Sequence, residues 1–183
     1  SDDNKAALIK LLDSIWQKAV NHEYSNCDYA SGGGTSIGMF GTGFYSFVKN
    51  TDDKSVRAFI KMCLDILDMT NDDDMFNRAA TVLTKSFKGM KAASASMVLH
   101  CLKPYAFPVL NSNMGSEDIF AALDIQLDHK ANLDTYIDNC KRIKAFRDAN
   151  FSFKNYRIID MAAWELTKNN DHFEGIIKKY KES

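Results

Sequence analysis

The chain has 183 residues, of which 45% are hydrophobic and 26% are charged. This is the composition of an ordinary globular protein, and the length is sufficient for a sizeable core without disulfides or metals. The formal net charge of −1 excludes a chain-wide basic field, so any binding to nucleic acid must use a local basic face. No apolar run is long enough to span a bilayer, and we expect no membrane association.

The four cysteines, Cys27, Cys63, Cys101 and Cys140, lie far apart in the sequence and form no CxxC pair. This spacing predicts reduced thiols, as in a cytoplasmic protein, and neither a metal site nor a cofactor. The length predicts that residues 1–183 form a single helical domain. Because the first residue is Ser rather than Met, we expect this domain to be a module of a longer protein.

Apolar residues recur at intervals of three and four along most of the chain, which is the spacing of helices. The first such segment contains Ala7 and Val20 and predicts a helix of about 18 residues. A glycine-rich segment at 31–43 follows, before a short helix that is predicted to end near Asn50. The glycine-rich segment lacks the GxxxxGK[ST] phosphate-loop motif, so it predicts either a surface loop or a mobile loop beside a ligand groove.

Side chains that favour helix N-termini mark the next two helices. Asp52 or Asp53 is expected to cap one of them, and Asn71 with the acids after it to cap the other, whose apolar residues run to Leu83. Later apolar segments predict helices around residues 119–123, 133–146, 156–166 and 173–180. Since no segment shows the alternation of a strand, we predict an all-α fold, a single globular domain of eight or nine helices.

One stretch interrupts this helical pattern with a glycine turn and a proline-containing loop. Residues 87–100 begin with a turn at Gly89 and continue as a helix rich in Ala and Ser. Both prolines of the chain, Pro104 and Pro108, follow in the loop at 103–113. Small residues allow close approach to a backbone, and prolines hold a loop in place. This combination predicts a site, or what is left of one.

Residues 89–99 resemble the hairpin and second helix of the helix-hairpin-helix DNA glycosylases, whose pattern is roughly P-G-V-G-x-x-T-A before an apolar helix. The resemblance implies a glycosylase-like core in which hairpin amides bind a DNA phosphate, and it aligns 107–113 with the catalytic segment. Asn111 stands in place of the catalytic Asp, Lys91 in place of the second hairpin glycine, and Ala93 in place of the nucleophilic Lys of bifunctional members. Because an amide cannot act as an anionic base, these departures favour DNA binding without catalysis.

A second resemblance covers more of the chain. The run L-H-x-L-x-P-x-x-F-P-x-x-N at 99–111 and the later helices around 136–146 and 156–166 resemble N-terminal modules of McrB-type, modification-dependent restriction proteins. In those proteins the module precedes an AAA+ motor. The resemblance implies a DNA-recognition module whose motor and nuclease lie elsewhere in the full-length chain.

The expected function is therefore that of a non-catalytic DNA-binding module of a modification-dependent restriction or DNA-processing ATPase, with DNA and an AAA+ motor domain as partners. The lysines and the glycine turn would contact phosphate, the two asparagines would read a base edge, and an aromatic ring would stack on an extruded base or plug the loop onto the core. The expected DNA-binding residues are Lys88, Gly89, Lys91, Lys103, Tyr105, Phe107, Asn111 and Asn113.

Two other functions fit the same residues. One is an active DNA glycosylase that takes its catalytic carboxylate, Asp118 or Glu117, from the helix after the proline loop. The other is a protein–protein interaction module in which the Ala/Ser helix is a close-packing surface. The densest basic stretch, at 141–157, predicts either a solvated helix face or a DNA-binding face.

Overall fold

The computed structural model describes residues 2–20, 47–110 and 116–159, and the regular structure in these ranges is helical. Its helices are α1 (Asp2–Val20), α2 (Asp53–Leu67), α3 (Asp72–Ala80), α4 (Ala92–Leu102), α5 (Ser116–Ala122) and α6 (Leu133–Asn150). Residues 47–50 and 157–159 are also helical. The prediction of an all-α domain is confirmed. The glycine-rich segment at 31–43, the helix at 173–180 and most of the helix at 156–166 lie outside the described residues.

The helix starts follow the capping side chains in the sequence. The Asp52 carboxylate accepts a hydrogen bond from the Ser55 amide at 2.9 Å, and this bond lowers the pKa of Asp52. The Asn71 side chain accepts from the amides of Asp73 and Asp74 at 2.9 and 3.1 Å. Each cap satisfies amides that have no partner inside the helix, which is why α2 and α3 begin where they do.

The core contains residues of all six helices. Helix α2 packs against α3 and α4, and α6 packs against the same two helices, while α1 contacts α5. The small residues Ala92, Ala95 and Ser96 of α4 are fully buried, so they let neighbouring elements approach α4 inside the domain. These three residues are therefore not available to a partner protein, whereas Ala93 and Ser94 of the same helix are partly exposed.

The proline loop after α4 is bound to the core through its backbone. The Ser96 hydroxyl accepts a hydrogen bond from the Leu110 amide at 3.0 Å, and the Tyr136 hydroxyl donates to the Pro108 carbonyl, also at 3.0 Å. A ring nitrogen of His100 lies 2.8 Å from the carbonyl oxygen of Phe107. These bonds fix the loop between α4 and α6, and they satisfy polar groups that are buried there.

A buried arginine joins this loop to the end of α6. The Arg147 guanidinium donates to the carbonyls of Tyr105 and Lys154 at 2.5 and 2.9 Å, and it pairs with the Asp148 carboxylate at 2.8 Å. It also lies over the Tyr156 ring, with 4.7 Å between its central carbon and the ring centroid. A buried cation is tolerated only with partners of this kind.

Asp148 is the acidic member of this cluster, and its carboxylate also accepts hydrogen bonds from Lys154 at 2.8 Å and Lys144 at 3.0 Å. Burial alone would raise the pKa of Asp148, but the hydrogen bonds from Lys154, Lys144 and Arg147 together hold it far below its ordinary value of 3.8. The ionised form therefore stabilises the folded chain fully above that value, and the stabilisation is lost as the pH falls toward the lowered pKa of the folded state.

We expect Asp148→Asn to lower the free energy of unfolding at pH 7 by about 1–2 kcal/mol, a value reduced for the partial exposure of the carboxylate. The difference from the unmodified chain should shrink as the pH falls below 4, in urea unfolding followed by circular dichroism. Asp138→Asn, at an exposed position of the same helix, is the control and should have little effect. If the difference in unfolding free energy stayed the same at low pH, the lowered pKa of Asp148 would be contradicted.

Candidate phosphate-binding cleft

The turn before α4 requires glycine. Gly89 has a φ of +88°, and a Cβ atom there would lie 1.7 Å from the Thr51 hydroxyl oxygen. The same hydroxyl donates to the Lys88 carbonyl at 3.0 Å, which ties the turn to the residue just before the N-cap of α2. The predicted glycine turn is therefore present, and it brings the backbone of Lys88 close to Thr51.

Helices α4 and α6 begin next to each other. The Ala92 amide donates to the Ala131 carbonyl at 3.2 Å, a bond between the first residue of α4 and the loop that leads into α6. Lys91 and Asn132 occupy the two N-cap positions, and neither side chain forms a capping hydrogen bond. Among the described residues, the amides of Ala93 and Ser94 have no hydrogen-bond acceptor. The partly positive N-termini of α4 and α6 therefore lie next to each other on the surface.

An open cleft of about 360 Å³ lies between these helix starts. Its walls include Lys85, Met90 and Lys91 on the side of α4 and residues 131–134 on the side of α6. The Lys85 ammonium lies 3.5 Å from the Asp134 carboxylate, with the Lys85 side chain 87% exposed. An ion pair so open to water contributes little, so it leaves Lys85 able to bind another anion.

The α6 side of the cleft is held by Asn139. This buried side chain donates to the Asp128 carbonyl and accepts from the Asp128 amide, each at 2.9 Å. Arg142 adds a hydrogen bond to the Gln126 carbonyl at 2.9 Å. Because the segment before α6 is fixed in this way, the Ala131 carbonyl is held in position for the Ala92 amide.

The structure brings together only part of the predicted DNA-binding set. Lys88, Gly89 and Lys91 lie at the start of α4 and are exposed. Lys103 and Tyr105 follow its other end, and α4 has 11 residues, which separates the two groups by about 16 Å of helix. The Lys103 ammonium donates to the Met69 carbonyl at 2.7 Å, whereas Tyr105 is 58% exposed.

Phe107 requires a correction. Its ring is fully buried and contacts Phe76 edge-on, with 5.6 Å between the ring centroids. Of the two roles considered for this ring, it therefore serves to anchor the proline loop to the core, and it is not available to stack on a base. Asn111 and Asn113 lie outside the described residues.

Glu117 lies on α5 beside Lys130, the residue just before the α6 side of the cleft. Its carboxylate is largely buried and lies 3.8 Å from the Lys130 ammonium. Burial raises the pKa of Glu117, the nearby charge of Asp118 adds to the effect, and Lys130 opposes both. The neighbouring Asp118 is half-buried. In the described residues no group of three or more His, Cys, Asp or Glu side chains is placed to hold a metal ion.

The basic stretch at 141–157 is largely engaged within the domain. Arg142 pairs with Asp128, Lys144 and Lys154 pair with Asp148, and Arg147 is buried. The stretch therefore does not present a continuous cationic face to a polyanion.

Sequence reasoning missed Lys85 and the start of α6. The spacing of three residues among Lys85, Lys88 and Lys91 is a signal that could have found Lys85. Residues 131 and 132 carry no comparable signal, because their role depends on a contact with Ala92 that is distant in sequence.

Comparison with protein-family models, with curated proteins and with solved structures finds no match to this chain. Within the part of the chain that the structure describes, no helix has the length and apolar character needed to cross a membrane.

We expect Gly89→Ala to destabilise the fold by about 2–4 kcal/mol. The positive φ at this position is strained for alanine, and the new Cβ atom would overlap the Thr51 hydroxyl. Chemical denaturation measures the loss. Thr51→Gly in the same chain removes the overlap and should recover part of the loss, while the strain from the positive φ remains. Full stability of Gly89→Ala alone would contradict the observed turn.

Proposed function

We propose that this chain is a non-catalytic DNA-binding module that binds backbone phosphate at the cleft between the starts of α4 and α6. The observation that carries the proposal is the convergence of two helix N-termini on one cleft. Lys85 and Lys91 line that cleft, and Lys88 is exposed in the adjoining turn. Phosphate is the anion that such a set of donors and cations suits.

The contacts divide into two kinds. Amides of Ala93 and Ser94 would donate to one phosphate group, and the ammonium groups of Lys88 and Lys91 would neutralise it and its neighbour. These contacts hold the module on DNA but read no sequence. Lys85 would join them by exchanging its exposed pairing with Asp134 for a phosphate oxygen.

Base recognition is the second part of the proposal. Tyr105 is the exposed aromatic residue of the proline loop, and its ring would stack on an extruded base. Asn111 and Asn113 would hydrogen-bond to a base edge, as amide side chains do with adenine. Lys103 would assist only after releasing the Met69 carbonyl, so we assign it a smaller role.

The wider context of the proposal comes from the resemblance of residues 99–111 to modules of McrB-type proteins. In that setting the chain recognises target DNA for a modification-dependent restriction or DNA-processing system. An AAA+ motor domain elsewhere in the full-length protein is the ATPase of that system. A glycosylase-like helix-hairpin-helix core would provide the DNA-binding surface. We place the module in the cytoplasm, since Cys63 and Cys140, which lie in described helices, are free thiols.

Binding to a fluorescently labelled duplex, followed by anisotropy, tests the phosphate contacts. We expect the Kd to rise about tenfold between roughly 50 and roughly 200 mM salt, as for two phosphates neutralised. Lys91→Glu should abolish detectable binding because it removes a cation at the cleft and adds a repulsive charge. Lys10→Glu, at an exposed position of α1, makes the same charge change and should leave affinity nearly unaltered.

Full affinity of Lys91→Glu would exclude the cleft as the phosphate site. An equal loss in Lys10→Glu and Lys91→Glu would indicate a response to net charge alone. Tyr105→Ala separates the two kinds of contact, since it should weaken binding to DNA with an extruded or unpaired base more than binding to an intact duplex.

A second candidate function is an active DNA glycosylase that uses Glu117. The observation in its favour is a largely buried carboxyl with a raised pKa, beside Lys130 and close to the cleft. A carboxyl held between burial and a cation in this way is a candidate for general acid–base catalysis.

Incubation with duplexes that contain modified or mispaired bases, scored for abasic sites, tests this candidate. It predicts base release that Glu117→Gln removes and that Asp118→Asn reduces much less. The reverse order would make Asp118 the catalytic carboxylate. No release from any of the duplexes would leave the non-catalytic module as the function of the chain.

A further inference from the structure

Helix α2 carries apolar side chains on a face that the described residues leave exposed. Ile60, Leu64 and Leu67 are 46%, 57% and 45% exposed. Their spacing of four and then three residues places them in one stripe along the helix. The core-facing residues Phe59, Met62 and Ile66 are buried on another side of the same helix. A stripe of this kind on a surface helix is typical of an interaction surface.

Charges of opposite sign lie at the two ends of this α2 stripe. Arg57 precedes Ile60, and Asp68 is the C-cap residue just after Leu67. Eleven positions separate them in the numbering, close to three helical turns, so both lie along the same edge of the stripe. Both residues are exposed, and neither forms an ion pair with another described residue.

This arrangement is self-complementary. When two copies of α2 pack antiparallel about a two-fold axis, the beginning of each helix faces the end of the other. Arg57 of each copy then lies opposite Asp68 of the second copy, and the two apolar stripes cover each other between these pairs. In the parallel arrangement Arg57 would face Arg57 and Asp68 would face Asp68, which disfavours it.

We propose that the chain self-associates through α2 as an antiparallel, two-fold dimer. Ile60, Leu64 and Leu67 form its apolar centre, and Arg57 with Asp68 forms an ion pair at each end. One helix from each copy makes a small interface, so we expect a Kd on the order of 10–100 µM. The surface is separate from the cleft, and the inference does not depend on DNA binding.

Sedimentation velocity over a concentration series, on the same chain, tests the apolar centre. The unmodified chain should pass from monomer to dimer as its concentration rises through that range. Leu64→Glu should raise the Kd at least about tenfold, since it places two carboxylates at the centre of the interface. Its position is exposed, and an unaltered circular-dichroism melt confirms that the variant folds.

Charge reversal tests the antiparallel register. Arg57→Asp and Asp68→Arg should each raise the Kd severalfold, because each sets like charges opposite one another in the dimer. The double variant restores opposite charges in both pairs and should return the Kd to near that of the unmodified chain. Lys141→Asp, at an exposed position of α6, changes the net charge as Arg57→Asp does and should not alter association.

Three outcomes would overturn the proposal. They are a chain that stays monomeric up to about 1 mM, a Kd that Leu64→Glu leaves unchanged, and a double variant that associates no better than either single variant. Rescue by the double variant supports the antiparallel pairing specifically, since a merely structural role of either charge would not be restored by reversing the other.

Discussion

The hydrogen bonds of the buried Arg147 guanidinium are the interaction on which the second half of the domain depends. A charge in this position is destabilising unless the chain surrounds it with acceptors, and the acceptors come from the proline loop, from α6 and from the segment after α6. Those segments are therefore constrained together. Phe107 is held by its own backbone, since its amide donates to the Lys103 carbonyl and its carbonyl oxygen lies beside a ring nitrogen of His100.

Helix α4 is consequently fixed at both ends. The proline loop holds its middle through Ser96 and its last turn through His100. Its N-terminal end is held by the turn at Gly89 and by the Ala131 carbonyl. The amides at the start of α4 thus have a set direction, and under the proposed function a phosphate would have to impose little further order on them. The buried small residues of α4 contribute to this, because they let neighbouring elements pack closely against the helix.

The sequence was sufficient for features that depend on near neighbours. The caps at Asp52 and Asn71, the turn at Gly89 and the helical spacing are all local, because each involves residues a few positions apart. The meeting of α4 with the start of α6 is not local, since it joins Ala92 to a residue 39 positions later, and no periodicity reports such a contact. For the same reason the sequence left the inward position of Phe107 undecided, and it could not show which cations are already paired.

The pairing of cations with acids inside the domain affects where an anion would bind. The stretch at 141–157 has the highest density of basic residues in the sequence, yet Arg142, Lys144 and Lys154 face acids of the same domain. A polyanion would have to compete with several carboxylates there. At the cleft the competing acid is Asp134, paired with the largely exposed Lys85. Water weakens that pair, and under the proposed function a phosphate that also received amide hydrogen bonds from α4 would displace it. The availability of cations, more than their number in the sequence, therefore favours the cleft.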